Sequence, residues 1–118
     1  MAPRALGPYS QAIAIGNQLY CSGQTPVEPL TMQLVQGGIE IQTKRVLENL
    51  TLVLNTAGLT LSNVIKVNVF LTDMEMFASM NKVYEERFGG HKPARSTIAV
   101  RALPLNALIE IECIAEIK

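Results

Sequence analysis

The amino-acid sequence predicts an α+β domain in which two helices pack on one face of a mixed β-sheet. Two observations lead to this fold class. Two segments carry apolar residues at helical spacing and five others have strand-like patterns, and along the chain they follow the order strand, strand, helix, strand, helix, strand, strand. With 118 residues, 48% of them apolar and 17% charged, the chain fits a single domain over residues 1–118.

The first half of the chain is predicted to form a hairpin and a long helix. Residues 12–15 and 19–22 have strand character and are separated by a turn-forming Gly-Asn-Gln segment. A pair of glycines interrupts the chain before residues 39–57, where apolar side chains recur with the helical period, and Gly58 is placed to end that helix. Because the helix is amphipathic, we expect it to cover a sheet.

The second half begins with a strand and a shorter helix. Alternation over residues 65–72 predicts the strand, and Asp73 can cap a helix that runs to about Phe88. The inner stripe of this helix is apolar except for Asn81. A buried amide must find hydrogen-bond partners, so Asn81 either bonds to nearby backbone or belongs to a ligand pocket.

The next predicted strand, around residues 94–100, contains one permanently charged side chain. The period of two places Arg95 on the same face as Thr97 and away from Ser96. An arginine in this setting can clamp a carboxylate or phosphate with two parallel hydrogen bonds. A structural ion pair and an exposed edge strand are the alternatives.

Residues 107–117 alternate as a last strand and are predicted to pair antiparallel with the strand of Arg95, after a turn around Pro104. This pairing would place Glu110 or Glu112 on the same sheet face as Arg95. The charges would then form either a solvated ladder or an anion clamp beside a carboxylate suited to proton transfer.

One face of the predicted sheet has no cover within the chain. Sheets of this size usually hide an apolar open face by association, so we expect a closed homo-oligomer with clefts between its subunits as natural sites.

Composition excludes several classes of function. The net charge is zero, so no basic field favours nucleic acid. Cys21 and Cys113 lie among apolar strand residues and are expected to be reduced core thiols, and a lone His91 gives little support to a metal centre. No segment is long and apolar enough to span a membrane. We therefore expect a cytoplasmic protein, or a mitochondrial matrix protein if a presequence has been removed.

Five sequence blocks between about Gly7 and Ile117 carry a family resemblance. The blocks are Gly7-Pro8-Tyr9-Ser10-Gln11-Ala12, Ser22-Gly23-Gln24 followed by Pro26-Val27, Asn81 within Met80-Asn81-Lys82-Val83-Tyr84, Pro93-Ala94-Arg95-Ser96, and Leu103-Pro104 followed by Ile109-Glu110-Ile111-Glu112. In order and spacing they resemble the reactive intermediate deaminase family, RidA, also known as YjgF. The resemblance implies a chorismate-mutase-like fold and a homotrimer with three sites at the subunit interfaces. It also implies cofactor-independent hydrolysis of 2-imino acids, or their enamine tautomers, to 2-keto acids and ammonia.

The resemblance also implies roles for individual residues. Arg95 would bind the substrate carboxylate, and Glu110 would lie near the water that attacks the imine carbon. Pocket-lining roles fall to four further residues. These are Tyr9, Ser22, Asn81 and Thr97. Thr97 stands where many members of the family carry Cys, which argues against an essential thiol.

Two alternatives from other classes remain open. Members of the family have also been described as ribonucleases or translation inhibitors, or as chaperone-like proteins, although a neutral chain without a basic aromatic stripe disfavours RNA. A non-catalytic module that binds small carboxylates would keep Arg95 but would have no use for Glu110. Ammonia release from 2-iminobutanoate or 2-iminopropanoate distinguishes an enzyme from such a module.

Overall fold

The computed structural model describes residues 1–118 as five strands and two α-helices. The strands are β1 (Ala12–Ile15), β2 (Gln18–Gln24), β3 (Val64–Leu71), β4 (Ala94–Ala99) and β5 (Ile109–Glu116), and the helices are α1 (Ile39–Thr56) and α2 (Phe77–Phe88). Asp73 caps a short 3₁₀ turn just before α2, where its side chain accepts a hydrogen bond from the Glu75 N–H at 2.9 Å. The α-helix therefore starts at Phe77, three residues later than a cap at Asp73 predicts.

The five strands form one mixed sheet in the order β1-β2-β5-β3-β4. Strands β3 and β4 are parallel, because α2 carries the chain back between them, and all other neighbours are antiparallel. Both helices pack on the same face of the sheet, and together with it they enclose a core of 19 buried residues. The predicted α+β fold is confirmed.

Helix α1 follows the predicted amphipathic pattern and buries its apolar stripe, including Val46, Leu50 and Leu54, against the sheet. One polar side chain, Asn49, is fully buried in the same surface. Its Nδ2 donates hydrogen bonds to the backbone carbonyls of Thr25 at 3.1 Å and Val27 at 2.9 Å. The amide therefore attaches the loop after β2 to the helix.

The predicted hairpin between the last two strands is wrong. Strand β4 lies at the edge of the sheet and pairs only with β3, whereas β5 lies between β2 and β3. The connection between β4 and β5 crosses the end of β3: the Val100 N–H donates to the Leu71 carbonyl at 2.7 Å, and the Thr72 N–H donates to the Leu108 carbonyl at 3.1 Å. The Pro104 turn thus joins two strands, β4 and β5, that have β3 between them.

The face of the sheet opposite the helices is uncovered, as the sequence predicted. Its side chains include Ile13, Tyr20 and Ile98, which are 55%, 44% and 50% exposed. In the pairing register, Ile13 lies beside Tyr20 and Tyr20 beside Ile114, so apolar side chains form a row across several strands. An apolar row of this kind is typical of surfaces that become buried by association.

Cys21 and Cys113 are free, buried thiols, in agreement with the prediction of core cysteines. They lie directly opposite each other on β2 and β5, which their distance in the sequence did not reveal. The contact with Cys21, together with burial, raises the pKa of Cys113 far above its ordinary range. None of the helices has the length and apolar composition needed to cross a membrane.

Candidate active site

Arg95 lies on β4 with its side chain on the helix-covered face of the sheet, and α2 fixes its position. One guanidinium nitrogen, Nη1, donates a hydrogen bond to Oδ1 of Asn81 at 2.7 Å. The guanidinium carbon lies 4.6 Å from the centre of the Tyr84 ring and 5.6 Å from that of Phe77. A guanidinium held by one hydrogen bond and two aromatic rings is preorganised, and it keeps further N–H donors for a ligand.

Asn81 thus bonds to the side chain of Arg95, whereas one of its two predicted alternatives was a bond to nearby backbone. Arg95 forms no salt bridge with a carboxylate of this chain, so the structural ion pair considered for it is absent. A cavity of about 280 Å³ opens beside it at the end of α2. Its lining includes Asn81, Tyr84, His91, Lys92 and Arg95. An arginine without a counter-ion at the wall of a cavity is suited to bind an anion.

Two buried hydroxyl groups near Arg95 have no hydrogen-bond partner. They are Oγ1 of Thr97, two residues along the same face of β4, and the phenol oxygen of Tyr84. Burial raises the pKa of Tyr84, and the positive charge of Arg95 opposes this shift. Tyr84 is therefore protonated at neutral pH. Leaving a buried donor unpaired costs about 1–3 kcal/mol, so such groups commonly mark a place where a ligand or water binds.

Glu110 lies on β5 and points to the uncovered face of the sheet. Burial, together with the negative charge of Glu112, raises the pKa of the Glu110 carboxyl. Glu112 is itself fixed by Asn68, whose Nδ2 donates a hydrogen bond to its carboxylate at 3.0 Å. Of the two neighbouring carboxylates, Glu110 is thus the one without a hydrogen-bond partner and with the raised pKa. This combination suits a group that takes up and releases a proton.

Tyr9 and Ser22 lie at the β2 side of the sheet, next to Gly23, which borders the Glu110 carboxyl group. The Ser22 hydroxyl donates to the Ser10 carbonyl at 2.6 Å, which ties β2 to the segment that carries Tyr9. Tyr9 is half-exposed and lines a small cavity of about 50 Å³ together with Gly23. Met32 and Leu105, two non-glycine residues with φ near +60°, line the same cavity. Left-handed backbone at such residues is strained and is often found at functional sites.

The predicted residues thus fall into two groups on opposite faces of the sheet. Arg95 lies in one row with Val67 and Cys113 on the helix-covered face, whereas Glu110 lies in one row with Phe70 and Ile98 on the uncovered face. The expectation that Arg95 and Glu110 share a face is therefore wrong. It depended on direct pairing of β4 with β5, and β3 lies between them.

We call the two groups the arginine half-site (Asn81, Arg95 and Thr97) and the glutamate half-site (Tyr9, Ser22 and Glu110). One chain does not bring them together. Sequence reasoning assigned no role to Tyr84 or Gly23, although both lie within blocks of the family resemblance. Tyr84 is buried on the inner face of α2, and its helical spacing does not reveal that the Arg95 guanidinium lies over its ring.

The comparisons with known proteins define the class of protein. The family model described as Endoribonuclease L-PSP matches residues 1–117. A RutC family protein of Pyrococcus horikoshii is 54% identical over 97% of this chain and 90% of its own length. The mouse 2-iminobutanoate/2-iminopropanoate deaminase is 44% identical over 97% of this chain and 84% of its own length.

Solved structures agree with this assignment. The crystal structure of Escherichia coli TdcF with bound serine superposes with a TM-score of 0.94 at 38% identity, covering 99% of this chain and 94% of that one. The chain belongs to the L-PSP family, which is the RidA or YjgF family identified from the sequence blocks.

Proposed function

We propose that this protein is an imine deaminase that hydrolyses 2-imino acids such as 2-iminobutanoate and 2-iminopropanoate to 2-keto acids and ammonia. The observation that carries the proposal is Arg95, a preorganised guanidinium that has no carboxylate partner and lies at the wall of a cavity. The substrate carboxylate supplies the missing partner. The name of the mouse relative and the serine bound to TdcF, which also has a carboxylate, support this substrate class.

The reaction needs no group beyond those of the chain and water. The fork of Arg95 binds the substrate carboxylate and holds the electrophilic carbon of the protonated imine in place. A water molecule adds to this carbon and gives a proton to Glu110, whose raised pKa makes it a stronger proton acceptor than an ordinary glutamate. Glu110 then gives this proton to the amino group of the tetrahedral adduct. The C–N bond then breaks, the hydroxyl proton passes to the departing ammonia as the carbonyl forms, and the 2-keto acid and ammonium leave.

The two half-sites require a second copy of the chain. We propose a homotrimer in which the arginine half-site of one subunit meets the glutamate half-site of its neighbour. Two features of the single chain support this arrangement: β4 is an edge strand, so Arg95 is close to a free edge of the sheet, and the uncovered face is rich in apolar side chains.

Mixing two inactive variants tests both parts of the proposal. Arg95→Ala and Glu110→Gln are each expected to retain only a small residual rate of ammonia release. In a site shared between subunits, an Arg95→Ala subunit supplies Glu110 and a Glu110→Gln subunit supplies Arg95. Random co-assembly of equal amounts therefore restores about one quarter of the wild-type sites, since each position is filled correctly half the time.

Purification of differently tagged subunits through both tags isolates the mixed trimers, in which about one site in three should be complete, and light scattering checks their mass. A mixed trimer without recovered activity would contradict a shared site, and a wild-type monomer at micromolar concentration would exclude it. Absence of ammonia release from the wild type would exclude the deaminase activity itself.

The description of the family model makes RNA cleavage the second candidate function. The net charge of zero disfavours it. Incubation of RNA with the wild type and with Arg95→Ala tests this candidate, because cleavage that depends on Arg95 would assign it to the same site.

A further inference from the structure

We propose that Gly23 is a positioning residue for Glu110, and that its missing side chain provides the space in which the carboxylate is held. The inference rests on the proposed function, because it concerns how the proton acceptor of that reaction is placed.

The backbone around Gly23 is a β-bulge. Cys21 pairs with Cys113 and Gln24 pairs with Ile111, so Ser22 and Gly23 together lie opposite a single residue of β5. Bulges interrupt the regular ladder and redirect side chains, and they are frequent next to active sites. Here the bulge lies on β2, which is next to β5, the middle strand of the sheet and the strand that carries Glu110.

The glycine at this bulge is explained by space and not by backbone conformation. Gly23 is absent from the residues with a positive φ, so an alanine would fit its backbone. A β-carbon on Gly23, however, would lie 2.2 Å from Oε2 and 2.8 Å from Cδ of Glu110. These distances are far below any real contact. The Glu110 carboxyl group thus occupies the volume in which the side chain of any other residue would begin.

Contact with Gly23 also explains the environment of the carboxylate. The glycine backbone shields one side of Glu110 from water, and burial is the main cause of its raised pKa. The three atoms nearest to a methyl group at position 23 all belong to the flexible side chain of Glu110, so the fold can remain intact while the carboxylate moves toward solvent. The substitution therefore moves the proton acceptor without removing it.

The test compares Gly23→Ala with Gly38→Ala, a control at which a β-carbon meets nothing within 4 Å. We expect Gly23→Ala to lower kcat for imine hydrolysis by about 10- to 100-fold with KM within about threefold of wild type, because a small misplacement of a catalytic group has effects of this size. In a Glu110→Gln background the same substitution should change kcat little, since the group it displaces no longer accepts protons.

A second measurement does not depend on activity. The pKa of Glu110, followed by carbon NMR of the labelled carboxyl group, should fall toward its ordinary value of 4.5 in Gly23→Ala and stay raised in Gly38→Ala. If the wild type fails to hydrolyse imines, the proposed function is wrong but this titration still tests the contact. An unchanged Glu110 pKa in Gly23→Ala, or an equal loss of kcat with and without Glu110→Gln, would overturn the positioning role.

Discussion

Replacement of Arg95 by lysine separates the charge of this side chain from its shape. Lysine keeps the positive charge but has no planar fork, so it cannot form two parallel hydrogen bonds with the substrate carboxylate while another nitrogen bonds to Asn81. The loss of one charge-assisted hydrogen bond costs about 1.5–3 kcal/mol. With 1.36 kcal/mol for each factor of ten, kcat/KM should fall by about 10- to 150-fold.

The assay measures ammonia release from 2-iminopropanoate generated in situ, with kcat and KM determined separately. The loss should appear in both constants, because the carboxylate contact exists in the bound substrate and also orients it for attack. Arg101→Lys is the matched control, since Arg101 is exposed and lies beyond the end of β4. A kcat/KM within about threefold of wild type for Arg95→Lys would refute bidentate hydrogen bonding to the substrate carboxylate and would leave only an electrostatic attraction between the two charges.

Three further predictions concern stability and reactivity. Asn49→Ala removes two donations to the carbonyls of Thr25 and Val27, so urea denaturation should show a loss of about 2–5 kcal/mol in the free energy of unfolding. The raised pKa of Glu110 means that its charged form destabilises the fold. The protonated form of Glu110 therefore stabilises the fold, fully below pH 4.5 and progressively less as the pH rises through the pKa of the folded state. Glu110→Gln should accordingly raise Tm at pH 7, and the difference from wild type should vanish at low pH. Mass spectrometry should show that Cys113, buried and with a raised pKa, resists iodoacetamide at pH 7 until the protein is unfolded.

Local patterns in the sequence were sufficient to predict most elements of the fold. The period of two in β3 and the helical period in α1 report directly which side chains face the core, so these elements were predicted to within about two residues. Strand pairing is different, because it depends on contacts between segments that are distant along the chain. The turn at Pro104 is typical of a hairpin, and nothing in its residues reveals that the connection crosses β3.

The same distinction applies to the candidate site. Arg95 and Asn81 are polar exceptions in otherwise apolar patterns, and the structure joins them by a hydrogen bond. Gly23 has no such local signal, because a glycine is needed there only where Glu110 approaches from another strand. The arginine and glutamate half-sites lie on opposite faces because of the register in which β4 pairs with β3 and β3 pairs with β5, so this arrangement could not be predicted before strand order and register were known.

The position of β5 also has a consequence for how the chain folds. It is the last strand in the sequence, yet it pairs with both β2 and β3 and joins the β1–β2 hairpin to the β3–β4 pair. During synthesis the two earlier pairs therefore lack their common neighbour until residues 109–116 leave the ribosome, and each exposes an unpaired strand edge. Completion of the sheet then requires contacts between distant parts of the chain, which form slowly. The nascent chain is consequently most prone to aggregation just before β5 becomes available.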